Sequence, residues 1–455
     1  MKHRKYAVVL AVLAICFNCL LLSMASAQES PKPSAEIPAV VAGEPAAAPQ
    51  IDKGDTAWIL TSSALVLMMT IPGLFLFYGG LVRGKNILGT IMQSFILVAL
   101  ISIQWVLFGY SLAFGPDVGS IIGSLEWAGL AGVGPEPNPD YAATVPHSAF
   151  MLFQMMFAII TAALITGSFA ERAKFSTFII FSLLWTTLVY DPLAHWVWGK
   201  GWVGAMGALD FAGGTVVHIS SGASALIAAL IFGKRVGYGQ ESMAPHNMPF
   251  NVIGASLLWV GWFGFNAGSA LAADGLAATA FMTTNTAAAA ATLGWVFTEW
   301  MSRGKPTALG AATGAVAGLV SITPAAGFVG PISAIIIGAV GGMLCYMACN
   351  MKAKFGYDDS LDVVGVHGIG GTWGALATGL FASKAINAAG NDGLFFGNPG
   401  QLWIQFLSVV ATIVFAVVVT AIILGVLKAT MGLRVTEEEE RMGLDLSQHN
   451  ERGYA

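Results

Sequence analysis

The chain has 455 residues, 56% of them hydrophobic and 10% charged, with a formal net charge of -4 at pH 7. Soluble globular domains carry about 25% charged residues, so the composition excludes an ordinary soluble protein and points to a polytopic, all-α membrane protein. The near-neutral balance gives no support to nucleic-acid binding.

The N-terminus begins with the basic "MKHRK", continues through an apolar run from Tyr6 to Leu22, and ends in "SMASAQ", where Ala25 and Ala27 supply the small residues of a cleavage site. Residues 1–27 read as a signal peptide, the alternative being an uncleaved anchor helix. Cleavage would remove Cys16 and Cys19. It would leave Cys345 and Cys349, four apart in an apolar segment, which indicates neither a disulfide framework nor a zinc-ligand set. Residues 28–57, rich in Pro, Ala and Ser as far as Ile51, read as an extracytoplasmic leader. The transmembrane domain then covers 58–428 and a cytoplasmic tail 429–455.

Apolar runs of about 20 residues, the length needed to cross a bilayer, are expected near 58–80, 88–114, 147–170, 175–197, 211–232, 249–271, 275–300, 307–323, 328–350, 363–383 and 401–427. The eighth is short and glycine-rich, and charge direction requires it. Glycine makes up 55 residues, well above the typical share of about 7%, which suits helices that approach through small side chains. Basic residues fall in alternate loops: Arg83 and Lys85, Arg172 and Lys174, Lys234 and Arg235, Arg303 and Lys305, Lys352 and Lys354, then Lys428 and Arg434. Only Lys200 and Lys384 occupy the opposite loops, so the positive-inside rule places the N-terminus outside and the C-terminus in the cytoplasm. Ten of the eleven spans divide into two sets of five with opposite orientation, beginning near Trp58 and Phe250. Inverted repeats of this kind put a substrate path between the halves.

The fifth span of each set carries a histidine: His218 in "LDFAGGTVVHISSG" and His367 in "VVGVHGIGGTWG". Ionisable groups in hydrocarbon are costly and mark function. A neutral imidazole offers one donor and one acceptor, so two can bond each other and still present an edge to a small polar solute. A packing histidine tied to a backbone carbonyl is the plain alternative for either one alone. If the fifth helix begins at Phe211, His218 lies about 10 Å along it. Asp210 at the rim reads equally as an N-cap and as a cation attractor. Aromatic residues gather at the outer ends of spans: Trp196, Trp198 and Trp202; Trp259, Trp262, Phe263 and Phe265; Phe150, Phe153 and Phe157. Interfacial anchoring and packing account for such residues singly, while a ring face also binds a cation with about 0.5–2 kcal/mol. Phosphate loops, metal clusters and catalytic triads are not evident, so no cofactor, metal or enzymatic reaction is expected.

The stretches "TIPGLFLFYGGLVRGKN", "AHWVWG", "LDFAGGTVVHISSG", "PHNMPF", "GWFGFNAGSA", "GVHGIGGTWG" and "GLRVTEEEERMGLDLSQHNERGYA" resemble the ammonium transporter (Amt/Rh) family, bacterial type, in its order and over nearly the whole mature chain. The resemblance implies a homotrimer whose subunits each have eleven helices and a pore. It implies an outer ammonium site of Trp198, Phe157 and Ser269, with Phe153 completing the rim and Asp210 as the aspartate the site needs. It further implies a phenyl gate of Phe157 and Phe265, a pore lined by His218 and His367, and Trp262 beside the path. Ammonium is the implied substrate, with methylammonium as analogue. The tail, whose "TEEEER" reads by charge alone as a solvated helix start, is implied to dock on neighbouring subunits, and a PII-type signal protein is the implied partner at the cytoplasmic mouth of an inner-membrane transporter. An ammonium sensor signalling through the tail and a symporter for another small cation are the rival readings.

Overall fold

The computed structural model describes residues 50–454, so the expected signal peptide, most of the leader, Cys16 and Cys19 lie outside the described residues. Among the described residues the chain is helical apart from short hairpins and loops. The long helices are α1 (Lys53–Leu81), α2 (Gly84–Phe114), α3 (His147–Ser168), α4 (Phe175–Ala205, interrupted at 198–201), α5 (Gly214–Phe232) and α6 (Met248–Gly268). They continue with α7 (Gly275–Arg303), α8 (Ala308–Ile322), α9 (Pro331–Phe355), α10 (Val364–Ile369 running into Gly370–Phe381) and α11 (Pro399–Thr430). Each expected span has its helix. Eight are long and apolar enough to cross a membrane, and α7, α8 and α10 are not among them. The tail adds α12 (Glu437–Met442) and α13 (Leu444–His449).

Capping chemistry moves several helix ends away from where hydropathy alone puts them. α1 starts at Lys53, within the stretch assigned to the leader, because Asp52 accepts from the Asp55 N–H at 2.9 Å. α7 is capped by Asp274 and closed by Gly304 at φ +79°, and α8 is capped by Thr307. α5 starts at Gly214 rather than Phe211.

The loops gather at two faces. One carries the hairpins β1–β2 (Asp117–Val118 with Ile122–Gly123) and β3–β4 (Pro137–Asn138 with Ala142–Pro146). Backbone bonds join its other loops: Trp202 N–H to Ser120 O at 3.1 Å, Phe211 N–H to Pro324 O at 3.1 Å and Ser383 N–H to Phe328 O at 2.9 Å. The opposite, tail face holds an ion network in which Glu171 meets Arg83 at 2.8 Å and Arg235 at 3.0 Å, while Arg235 meets Asp358 at 2.9 Å. Burial opposes the charge on Glu171, but Arg235 and Arg83 outweigh it and hold its carboxyl below the usual range. The tail closes over this network: Lys174 N–H donates to Leu433 O at 3.0 Å, Arg434 pairs with Glu440 at 2.6 Å, and Glu440 also accepts from the Val236 N–H at 2.7 Å.

Small residues let the helices meet backbone to backbone. A Cβ on Gly338 of α9 would sit 2.2 Å from the Ala287 carbonyl oxygen of α7, a contact no side chain tolerates. Such packing needs no large apolar surface, which suits a medium as apolar as the side chains themselves.

Candidate functional site: a chamber between two cavities

α5 and α10 cross where Gly222 meets Gly368, so closely that a Cβ on Gly222 would lie 2.3 Å from the Gly368 Cα. Each helix opens with a six-residue π-helical segment, Gly214–Ile219 and Val364–Ile369, and each segment carries its histidine. The crossing brings His218 and His367 together: their Nδ1 atoms are 3.2 Å apart and their rings are inclined by 27° at 5.3 Å. One Nδ1 must donate and the other accept. Both side chains are buried, at 1% and 4% exposure, and His218 Nε2 has no hydrogen-bond partner among the described residues. Because α5 begins three residues later than hydropathy suggests, His218 lies in its first turns.

The reason for that late start is Asp210. Its Oδ1 accepts from the Gly213 and Gly214 N–H groups at 2.8 and 2.5 Å, and its Oδ2 from the Thr215 and Val216 N–H groups at 2.8 and 3.3 Å and from the Thr215 hydroxyl. The carboxylate is therefore committed to the helix start, with Gly213 at φ +113° turning the chain into it. Asp210 does not line the adjoining hairpin-face cavity. Of the two roles read from sequence, the geometry carries capping.

Trp262 lies over His218, ring centroids 5.4 Å apart and 23° from parallel. Its Nε1–H donates to the Thr323 hydroxyl at 2.9 Å, which fixes the indole plane. Phe265 stacks on Phe157 at 4.2 Å and 25°, and Phe157 meets Trp198 edge-on at 5.9 Å. Trp198 in turn donates to the Asp210 carbonyl at 2.9 Å, and Ser269 donates to Phe265 O at 2.8 Å.

These contacts order the residues along one line. Trp198, Phe157 and Ser269 line a cavity of about 300 Å³ open at the hairpin face. Beyond the Phe157–Phe265 stack, His218, His367, Trp262 and Phe265 share a chamber of about 10 Å³ with Met69, Leu74, Phe77, Ile160 and other apolar side chains. That is room for about one water-sized molecule. His367 also borders a cavity of about 500 Å³ at the tail face, where Arg235, Glu299, Arg303, Lys352 and Asp362 supply charge.

Two aromatic residues singled out in the sequence do not line the cavity. Phe153 is fully buried and packs edge-on against Phe157 at 4.9 Å, supporting that ring without lining the cavity. Phe263, from the helix-six aromatic group, stacks on Phe281 of α7 at 3.8 Å and takes no part in the chamber. Conversely, Phe114, Asp140, Tyr141, Phe150 and Gln154 line the hairpin-face cavity. Phe150, Gln154 and Phe157 share one helix face at i, i+4 and i+7, a spacing that would have pointed to Gln154. Asp140 and Tyr141 arrive from the β3–β4 hairpin, and no local pattern announces them.

A profile of the Ammonium Transporter Family matches residues 57–454. The chain belongs to the ammonium transporter family. An ammonium transporter of Bacillus subtilis (strain 168) is 56% identical to this transporter over 402 residues, 88% of this chain and 98% of that one. Ammonium transporter Amt1 of Archaeoglobus fulgidus is 50% identical over 401 residues, 88% of this chain and 99% of its own. Among solved structures, Mep2 of Saccharomyces cerevisiae superposes with a TM-score of 0.80 at 38% identity, covering 85% of this transporter and 91% of Mep2. A structure described as a sensor Amt protein reaches 0.80 at 29% identity, covering 87% and 98%. The transporter is thus a polytopic, all-helical membrane protein of this family.

Proposed function

We propose that the chain imports ammonium selectively: the ion is recruited at the aromatic cavity of the hairpin face, gives up its proton, and passes as ammonia along His218 and His367, with the proton carried separately and ammonium re-formed at the tail face. One observation carries this reading, the single-molecule chamber whose apolar wall is broken chiefly by the two histidines. Moving an ammonium-sized ion into such surroundings costs on the order of 20 kcal/mol in an idealised estimate and still several after relaxation, whereas an aromatic face returns about 2 kcal/mol. Ammonia lacks that penalty, and the unpartnered His218 Nε2 offers it a hydrogen bond. Potassium has no proton to give and is excluded. In this reading Trp198, Phe157 and Ser269 hold the ion, Phe157 and Phe265 gate it, Phe153 backs the gate, and Asp210 and Trp262 position what they touch.

The same proposal takes eleven crossings, the three weaker helices being covered by neighbours, in two inverted sets of five plus α11. The equivalent placement of both histidines in π-helical helix starts supports the repeat. It puts the hairpin face outside and the basic tail face in the cytoplasm of a bacterial-type inner membrane, with a homotrimeric assembly and a PII-type protein meeting the tail face. The likeness to a sensor Amt protein favours one rival, a sensor that binds ammonium and signals through the tail.

The test is the current evoked by an ammonium pulse in proteoliposomes, with methylammonium and potassium beside it and an H218A/H367A variant. Current with ammonium and methylammonium alone, altered in the variant, is expected. Equal current with potassium would overturn the deprotonation step, and ammonium binding without current would establish the sensor.

A further inference from the structure

Among the described residues that line the hairpin-face cavity, the charged one is Asp140, set among aromatic, aliphatic and polar side chains. Beside it stands Tyr141, whose ring is fixed: the hydroxyl donates to Phe114 O at 2.6 Å and the ring stacks on Phe150 at 5.2 Å and 13°. A carboxylate next to a fixed π-face is a place where a small ammonium cation binds. In the structure a cation is already there, on a tether. Lys200 Nζ lies 2.7 Å from Asp140 Oδ2 and 5.8 Å from the centroid of the Tyr141 ring.

Lys200 belongs to the 198–201 interruption of α4 and follows Trp198 by two residues. The Gly199 and Gly201 N–H groups both return to His195 O, at 3.0 and 2.9 Å, and Lys200 takes φ +71° between them. The loop thus presents the lysine stem at the cavity entrance. Its head group, an alkylammonium, has the chemistry of the proposed substrate. Both partners remain about half exposed, at 50% and 61% of their side-chain surface, so the pair is weak and opens readily.

We propose that Asp140 and Tyr141 form an entry station for ammonium and that Lys200 is a built-in competitor for it, setting the concentration at which the cavity fills. The inference rests on the ammonium reading above and adds Asp140 and Tyr141 of the same cavity, with Lys200, to the residues implied by the resemblance. An exposed pair of this kind favours its closed form by roughly 1.4- to 5-fold. A site that is free only when the pair is open has its apparent affinity reduced by the open fraction. Replacing the lysine is therefore expected to lower half-saturation about two- to sixfold.

The experiment is a double-mutant cycle with K200M, D140N and K200M/D140N. Two readouts are taken: half-saturating ammonium for the current in proteoliposomes, and methylammonium binding to the purified full-length protein. The expected result is a lower half-saturation in K200M, a higher one in D140N, and no further fall on adding K200M to D140N. An equal fall in both backgrounds would mean that Lys200 acts only through its long-range field and would overturn the proposal, as would an unchanged or raised value in K200M. Absence of ammonium current in the wild-type protein would instead defeat the transport reading, and the binding cycle would still decide the station.

Discussion

Replacing Asp210 with alanine separates a structural aspartate from a substrate-binding one. The change removes the acceptor for four backbone N–H groups and one hydroxyl at the start of α5. The residue is only 7% exposed, so little water reaches the donors left behind. Each unsatisfied buried donor costs about 1–3 kcal/mol. Local relaxation and the length of the 3.3 Å bond reduce the sum, and a loss of at least about 3 kcal/mol is expected. For a domain this large that lowers the unfolding midpoint on the order of 5 °C. Since His218 follows Thr215 within a turn, the ammonium current should fall with it. D210N keeps one acceptor oxygen but turns an amide toward the remaining donors, so it should lie between wild type and D210A. The assay is thermal unfolding of the purified protein in detergent, paired with the proteoliposome current. A D210A protein with unchanged midpoint but weakened ammonium binding would refute the capping argument and return Asp210 to the substrate.

Three further outcomes follow from the same geometry. G222A drives a methyl group into the Gly368 backbone and should cost about 1–3 kcal/mol of stability while separating the histidines. Retention of both midpoint and current would show that the crossing has slack. T323V leaves the Trp262 indole N–H without its 2.9 Å acceptor and should lose about 1–3 kcal/mol together with current; an unaltered protein would mean that stacking on His218 alone fixes the ring. Asp359, buried ahead of α10 on the tail face, has its carboxyl pushed up to about 6 by burial, with Lys352 opposing the rise. A folded-state value above the unfolded one of about 3.9 means the folded chain holds the proton more tightly. Stability is then greater at pH 4 and declines as pH rises to about 6, by about 3 kcal/mol. D359N should remove that decline, measured as unfolding midpoints at pH 4.5 and pH 7, and an identical decline in the variant would refute the assignment.

Most helices were legible because hydropathy repeats at bilayer length, while the short, glycine-rich α8 was placed only by the alternation of basic loops. Helix ends were not legible, because caps decide them: Asp52 pulls α1 forward to Lys53, and Asp210 with left-handed Gly213 delays α5 to Gly214. Among the helix-borne residues that meet here, His218 and His367 stood out in the sequence as ionisable groups inside spans, and Phe157, Trp262 and Phe265 came through the family resemblance. The contact of the histidines could not be read, since it depends on Gly222 and Gly368, far apart in the chain, lying against each other. Asp140 and Tyr141 escaped notice for a related reason, and Lys200 was read only as a loop charge. They sit on a hairpin and a broken helix end, where neither period applies, and only the closing of β3–β4 beside the α4 interruption brings them together.

The chamber's size has a kinetic consequence. With about 10 Å³ between the phenyl stack and His367, two substrate molecules do not share it. Displacement of one molecule by another, which lets multi-site channels combine tight binding with high throughput, therefore has no room within the chamber itself. If ammonia crosses as proposed, each molecule must leave the chamber before another enters, so flux is expected to rise as a simple hyperbola with a Hill coefficient of about 1, with the proposed gate of stacked Phe157 and Phe265 rings setting its ceiling.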